Sequence, residues 1–447
     1  MHKMISFIET AIQEGKFSKI REMAFQLNVV DIAQLLDELD EEKTLIVFRL
    51  LPKDKSVEVF SYMSKEQQQY IIESITDKEI KHIIDNLFMD DTVDILEEMP
   101  ANIVKRILMH VSADRRDLIN QFLKYPENSA GSIMTIEYVD LKKEMTVREA
   151  LEHVKKTGAD SETIDICYVM DQNRKLEGII PLRKLVLSDG DTIIGDIMET
   201  NIISVHTHMD QEEVGNLFRR YDLLAMPVVD QENRLVGIIT IDDIIDIIEY
   251  ENTEDFQVMA AMEPSEEEYL KTGIFTLARN RIVWLLILMI SATFTGNIIR
   301  HYENVLASVV ALAAFIPMLM DSGGNAGSQS ATMVIRGLAL DEIRMKDIGK
   351  VIWKEFRVSL LVGFVMTLVN FIRVYFIEKT GFIITLTISI SLYFTIILAN
   401  LVGSSLPIIA KKLKLDPAIM AAPMITTIVD ALALFAYFSI ASWLLGF

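Results

Sequence analysis

The hydrophobic period of the chain changes along its length, and each change marks a different kind of element. Over the first 130 residues the period is twelve. Leu51, Met63, Ile75, Leu87, Met99, Val111 and Leu123 form one apolar series, and Ile71, Ile83, Ile95, Ile107 and Ile119 form a second in the same phase. Twelve residues hold one short helix and one turn. Each such unit buries its apolar stripe only against its neighbours, which predicts a small helical superhelix over residues 1–129. Ser64, Thr76 and Ser112 precede these helices as N-caps, and Pro100 falls at a helix start, where proline is tolerated.

The next pattern is a duplication. GSIMTIEYVDLKKEMTVREALEHV followed by DICYVMDQNRKLEGIIPLRKLV is matched by GDIMETNIISVHTHMDQEEVGNLF followed by LAMPVVDQENRLVGIITIDDII. Each copy reads as strand, helix, two strands joined by a polar turn, and a second helix. The pair resembles tandem CBS domains, here over 130–193 and 194–250. That resemblance implies one adenine nucleotide site, since the second copy has Gly237, Thr240 and Asp243 where the first has Gly178, Pro181 and Lys184. The residues alone describe Thr240 equally well as a cap on the helix opening at Asp242. His206 and His208 would share one face of a strand, as metal-binding pairs do. Cys167, between Ile166 and Tyr168, reads as a small buried residue.

Between Leu235 and Leu270 stand eleven acids and no Lys or Arg. Asp242, Asp243, Asp246, Glu249, Glu251, Glu254 and Asp255 continue one helical pattern out of the second module. Like charges at i,i+3 and i,i+4 repel, and bound divalent ions reverse the sign. The stretch is therefore either a cation-dependent hinge or a solvated acidic linker. Asp90 and Asp94, at i,i+4 in the repeat region, pose the same alternatives.

From Arg281 onward five apolar segments follow, at about 282–299, 304–334, 351–377, 382–410 and 417–445. The second and fourth exceed the usual length of about 20 residues and contain Pro317 and Pro407, predicting tilt, kinks or broken helices. The second carries PMLMDSGGNAGSQSATMVIRG, whose small residues permit close helix approach and whose Asp321, Asn325 and Gln329 supply oxygens. The last holds Asp430 near its middle. A charge there costs about 2.5–3.5 kcal/mol on insertion, so it faces a water-filled path, a cation or a partner, or sits protonated between helices.

Charge sharpens this division. Residues 1–270 carry a net −27 and residues 271–447 a net +6, within −21 overall. An acidic soluble part excludes nucleic acid and favours cations as partners. The single cysteine excludes an intrachain disulfide, as expected of a cytosolic region. Twelve Lys and Arg flank the segments on one side, against Arg300, Arg373 and Lys379 on the other. That bias places the soluble part in the cytoplasm and the C-terminus outside.

In this order, the repeat, the CBS pair and the runs PMLMDSGGNAGSQSAT, NLVGSSLPIIAKKLKLDP and PMITTIVDALALFAY resemble the MgtE magnesium channels and transporters over nearly the whole chain. The fold implied is a multi-domain α plus α/β membrane protein. It has an N-terminal helical superhelix, a CBS (βαββα) pair, an acidic plug helix at 251–272 and a five-helix transmembrane domain at 273–447. The resemblance implies a homodimer in the cell membrane that moves Mg²⁺ through a pore with Asp430 as its carboxylate. Asn325, Ser328, Gln329, Ala422 and Thr426 line that pore, with Ser328 and Ala422 standing where some relatives have Asn. It implies a Mg²⁺ sensor on Glu58, Asp90, Asp94, Glu212, Asp222, Asp243, Asp246, Glu251, Glu254 and Asp255, and ATP at Thr240 and Asp243. Bridging of these acids by cytosolic Mg²⁺ would shut the pore. Mn²⁺ or Co²⁺ as cargo, and a non-transporting scaffold, are the competing readings. An enzyme is excluded because no nucleophile or His/acid cluster stands in the apolar segments.

Overall fold

The twelve-residue spacing becomes helices that begin every twelve residues. After α1 (His2–Gln13), α2 (Phe17–Gln26) and α3 (Val29–Asp37) come α4 (Glu41–Leu50), α5 (Lys53–Ser61), α6 (Lys65–Ser74), α7 (Asp77–Asn86), α8 (Met89–Glu98), α9 (Ala101–His110) and α10 (Ala113–Phe122). The expected caps occupy N-cap positions, but only Thr76 acts through its side chain, in a capping box with Glu79. Ser64 instead donates its hydroxyl to Asp37 on α3 at 2.8 Å, tying turn to turn. Pro100 is itself the N-cap of α9.

The computed structural model describes residues 2–265, 269–270, 272–340, 342–420 and 422–446. It divides into two units, Met1–Ile248 and Glu249–Phe447. In the first, the repeat is followed by β1 (Tyr138–Leu141), α11 (Val147–Thr157), β2 (Thr163–Met170), β3 (Leu176–Pro181) and α12 (Leu182–Leu187). After the short α13 (Ile194–Ile197) the pattern recurs as β4 (Val205–His206), α14 (Gln211–Tyr221), β5 (Ala225–Val229), β6 (Leu235–Thr240) and α15 (Ile241–Met259), whose residues from Glu249 onward belong to the second unit. Each sheet has one parallel and one antiparallel pairing, in chain order.

The modules exchange their opening segments. Ala130, Gly131 and Thr135 donate backbone N–H groups to Met209, Thr207 and Ile238 of the second module, while Ile194 and Glu199 bond Met145 and Ile179 of the first. Gly178 and Gly237 make this possible: a Cβ at either would lie within 2.7 Å of the sulfur of Met198 or Met134, the methionines of the exchanged segments. The repeat shares one apolar core with the second module, including Phe122, Phe218 and Ile244, and the first module has its own around Cys167 and Val169. Cys167 is buried, as its neighbours suggest.

The second unit contains α16 (Ile274–His301), α17 (Glu303–Ser308), α18 (Ile316–Ala339), α19 (Ile348–Ile372), α20 (Phe382–Lys412) and α21 (Ala422–Leu445). Among the described residues, Ile274–His301, Met345–Glu378, Phe382–Lys412 and Pro417–Leu445 are long and apolar enough to cross a membrane. The expected second segment is broken. A 3₁₀ turn at Val310–Phe315 separates α17 from α18, which has Pro317 in its first turn, where no N–H is missed. Pro407 breaks nothing: its ring is buried and α20 runs through it, packed against α18, α19 and α21. The expected plug helix over 251–272 is also revised. α15 begins at Ile241 and ends at Met259, and residues 260–265 are not helical. Residues 266–268 and 271 of that stretch lie outside the described residues.

Candidate cation sites

Helix α8 starts at Phe88, which has no capping group, and puts Asp90 and Asp91 in its first turn, where the helix dipole favours negative charge. Glu162, on the approach to β2, and Asp242 and Asp243, in the first turn of α15, converge on them. Among them, Asp90 is 7% exposed. Burial first, then Asp243, Asp91 and Glu162, hold its carboxyl well above the usual range. Burial and the neighbouring Asp243 and Asp242 push Asp91 up to about 6. The same causes push Glu162 up to about 8, and its Oε2 is buried without a hydrogen-bond partner. Asp243 is raised to about 6 by burial, against a 2.6 Å hydrogen bond donated by the Thr240 hydroxyl. Carboxylates this close repel in proportion to their burial, and either protons or a divalent cation relieve them.

Of the acids that the resemblance assigns to a sensor, the structure joins Asp90 and Asp243; it adds their helix neighbours Asp91 and Asp242, and Glu162, which no pattern in the sequence singles out. Glu58 lines a separate cleft with Phe25, Pro52 and Lys55. Glu212 and Asp222 stand at opposite ends of α14, Asp222 as a left-handed cap with φ 51°. Asp94 and Asp246 are exposed on α8 and α15. In the second unit Glu251, Glu254 and Asp255 are half-buried. Asp255 is pushed up to about 6 by burial and then by Asp416 and Glu254. Asp416, in the loop before α21, is a further acid that no helical spacing could reveal. Met259, ending α15, packs on the apolar cluster of Ile335, Ala399, Ile425 and Val429.

In the membrane unit α18, α20 and α21 approach closely. A methyl at Gly327 would lie 2.9 Å from Ile425, and one at Gly403 would collide with the Gly327 carbonyl. The buried face of α18 is this small-residue face. Its other face leaves Asp321, Asn325 and Gln329 exposed, a polar stripe at i, i+4 and i+8. Ser328 Oγ is buried without a partner. Asp430 is half-buried on α21, with Asp321 as a charged neighbour. Thr426, one turn before it, bonds the Pro423 carbonyl at 3.0 Å. Ala422 opens that helix. Glu355 of α19, also missed, accepts from Ser330 at 2.8 Å, beside the glycine crossing.

His206 and His208 do not form the metal pair their spacing suggested. The strand ends at His206, and His208 bonds Thr207 at 3.0 Å and packs edge-on against Tyr125. Among the described residues, no group of three or more His, Cys, Asp or Glu could hold a metal ion. The acids pair across elements instead. That suits a cation which keeps most of its water and takes one or two carboxylates, as Mg²⁺ does.

Five long helices among the described residues of the second unit, a polar stripe with a carboxylate, and an acidic CBS-bearing region define a multi-pass membrane transporter, and not an enzyme. The family of MgtE intracellular N domains matches residues 27–128, CBS domains match 130–189 and 194–250, and the MgtE family, a divalent cation transporter, matches 316–440. The magnesium transporter MgtE of Thermus thermophilus is 37% identical over 99% of both chains. That of Bacillus subtilis is 33% identical over 98% of this chain and 97% of its own. The chain belongs to the MgtE family of magnesium transporters. Its fold is similar to the crystal structure of the soluble part of a magnesium transporter, with TM-score 0.53 and 30% identity over 56% of this chain and 99% of that one. It is also similar to the cytosolic domain of the Mg²⁺ channel MgtE in complex with ATP, with TM-score 0.52 and 36% identity over 54% and 99%.

Proposed function

We propose that this chain conducts Mg²⁺ across the cell membrane and that cytosolic Mg²⁺ closes it. The carrying observation is Asp430, half-buried in an apolar helix beside the uncovered stripe of Asp321, Asn325 and Gln329. Exposed polar groups on a membrane helix need water or a partner. Two copies about a twofold axis would turn the stripes toward each other and set two Asp430 carboxylates on one path. Few carboxylates and many neutral oxygens match an ion that dehydrates reluctantly.

The gate lies in the acids. Hydrated Mg²⁺ between pairs of carboxylates, Asp90 with Asp243 and Asp255 with Asp416, favours the compact state, and its loss leaves them repelling. α15 carries both sets, and its last residue, Met259, packs on the cluster that contains Val429, next to Asp430. The soluble region, residues 1–250, faces the cytoplasm and the C-terminus lies outside, as the basic flanks indicate. A nucleotide site at Thr240 and Asp243 rests on the ATP bound by the similar cytosolic domain.

The test is Mg²⁺ flux into proteoliposomes with Mg²⁺ on the sensor side set low or high at constant ionic strength. Flux should fall as sensor-side Mg²⁺ rises, and Asp430→Ala should abolish flux without loss of folded protein. Normal flux through Asp430→Ala rejects the pore. Flux independent of sensor-side Mg²⁺ rejects the gate. Faster Mn²⁺ or Co²⁺ flux would assign another cargo.

A further inference from the structure

A second charged device stands beside the acidic cluster of the soluble unit, and it contains its own cation. The side chain of Glu137, just before β1, reaches back to the helical repeat. Its Oε2 accepts from the Thr135 hydroxyl at 2.6 Å, from Ile136 N at 3.1 Å and from Met89 N at 3.4 Å. The last bond caps α8, whose own N-cap residue, Phe88, has nothing to offer. Glu137 Oε1 lies 3.4 Å from Arg115 Nη1, in the first turn of α10. Nη2 of the same guanidinium bonds Thr92 Oγ1 at 3.2 Å and the Leu87 carbonyl that ends α7. Both charged side chains are under one-fifth exposed, at 16% and 17%. At such burial a charge-assisted pair is little screened by salt or water. The Glu137 carbonyl in turn accepts from Glu162 N at 2.7 Å, so the pair adjoins the acids by backbone as well as by space.

We propose that Arg115 and Glu137 form a metal-free latch between the helical repeat and the CBS pair, and that this latch sets how much Mg²⁺ the adjacent acids need to close. The proposal rests on the gating reading above and deepens it. Glu137 occupies the guanidinium, so Asp90, Asp91 and Asp243 keep their mutual repulsion and still require a cation. The latch exists only while repeat and module are docked, and therefore adds to the docked state whatever it is worth. By linkage, removing it shifts closure to higher Mg²⁺. Arg115 and Glu137 are positioning residues, acting on the cluster through the end of α8 and not by holding the ion.

The test uses the full chain in proteoliposomes, with Arg115→Met, Glu137→Gln, the double variant and Arg115→Lys. The readouts are flux and hydrogen exchange of residues 87–92, both titrated with Mg²⁺. Arg115→Met should raise the Mg²⁺ midpoint of protection and of closure by about tenfold, the worth of one charged hydrogen bond, and Glu137→Gln by less, because it also removes a charge that repels Asp91 and Glu162. The double variant should do no worse than the singles, and Arg115→Lys should recover part of the shift. Flux at low Mg²⁺ should be unchanged. Unmoved midpoints, or shifts that add in the double variant, overturn the latch. If wild-type protection does not respond to Mg²⁺, the gate reading fails, and protection still lost in Glu137→Gln keeps the latch while protection retained ends it.

Discussion

Burial, and not helical spacing, separates the acids that meet in a cluster from those on the surface. Asp90 and Asp94 are one helical turn apart on α8, yet the first is buried against Asp243 and the second is exposed. Asp91 and Asp243 are pushed up to about 6 and Glu162 to about 8, in each case chiefly by burial, from ordinary values of 3.8 and 4.5. A carboxyl raised on folding stabilises the assembled cluster below its unfolded value, and that contribution is lost as pH rises through the raised one. The expected outcome in EDTA is thus a soluble region whose melting temperature falls between about pH 5 and about pH 8. Excess Mg²⁺, which replaces the protons, should abolish the fall and release protons as it binds. A melting temperature in EDTA that is flat over this range would remove the cluster as a sensor.

At the scale of the element, the proposed gate rests on α15 and the membrane unit's packing on the α18–α20 crossing. α15 is one helix from Ile241 to Met259, and the proposed gate needs it unbroken. Thr253→Pro should break it, since proline inside a helix costs about 3 kcal/mol and removes a backbone hydrogen bond. The expected result is flux that no longer responds to sensor-side Mg²⁺, with the CBS pair still folded. Retained response would show that the signal travels elsewhere. Gly403 faces the Gly327 carbonyl with no room for a Cβ. Gly403→Val should force α18 and α20 apart and destabilise the membrane unit by several kcal/mol, on the order of other overpacked cores or more. Thermal unfolding in detergent reads this directly, and a variant as stable as the parent would mean that the crossing can open.

Over the whole molecule, what was legible in the sequence was whatever repeats or stands out locally. The twelve-residue period gave helices starting at 41, 53 and 65 because a helix-plus-turn unit leaves the same apolar phase at each pass. The duplicated module gave two like-ordered sheets, and Asp430 declared itself by being charged in an apolar run. Pro317 marks a break at residues 310–315 only in kind, and α20 continues through Pro407, because neighbouring helices decide whether a proline interrupts. Gly178 and Gly237 were noticed as parts of a nucleotide motif. Their close approach to Met198 and Met134 depends on an exchange of segments that no local pattern encodes. The same holds for Glu162, Glu137 and Arg115, ordinary surface charges in sequence until the fold buries them beside α8. Sequence by itself determined the elements, their order and the division into an acidic region and an apolar one, since periodicity and hydrophobicity act within a few residues. Tertiary structure alone decided which acids meet, which glycines touch and where a fixed cation sits, since burial and Coulomb energy depend on distances between residues far apart in the chain.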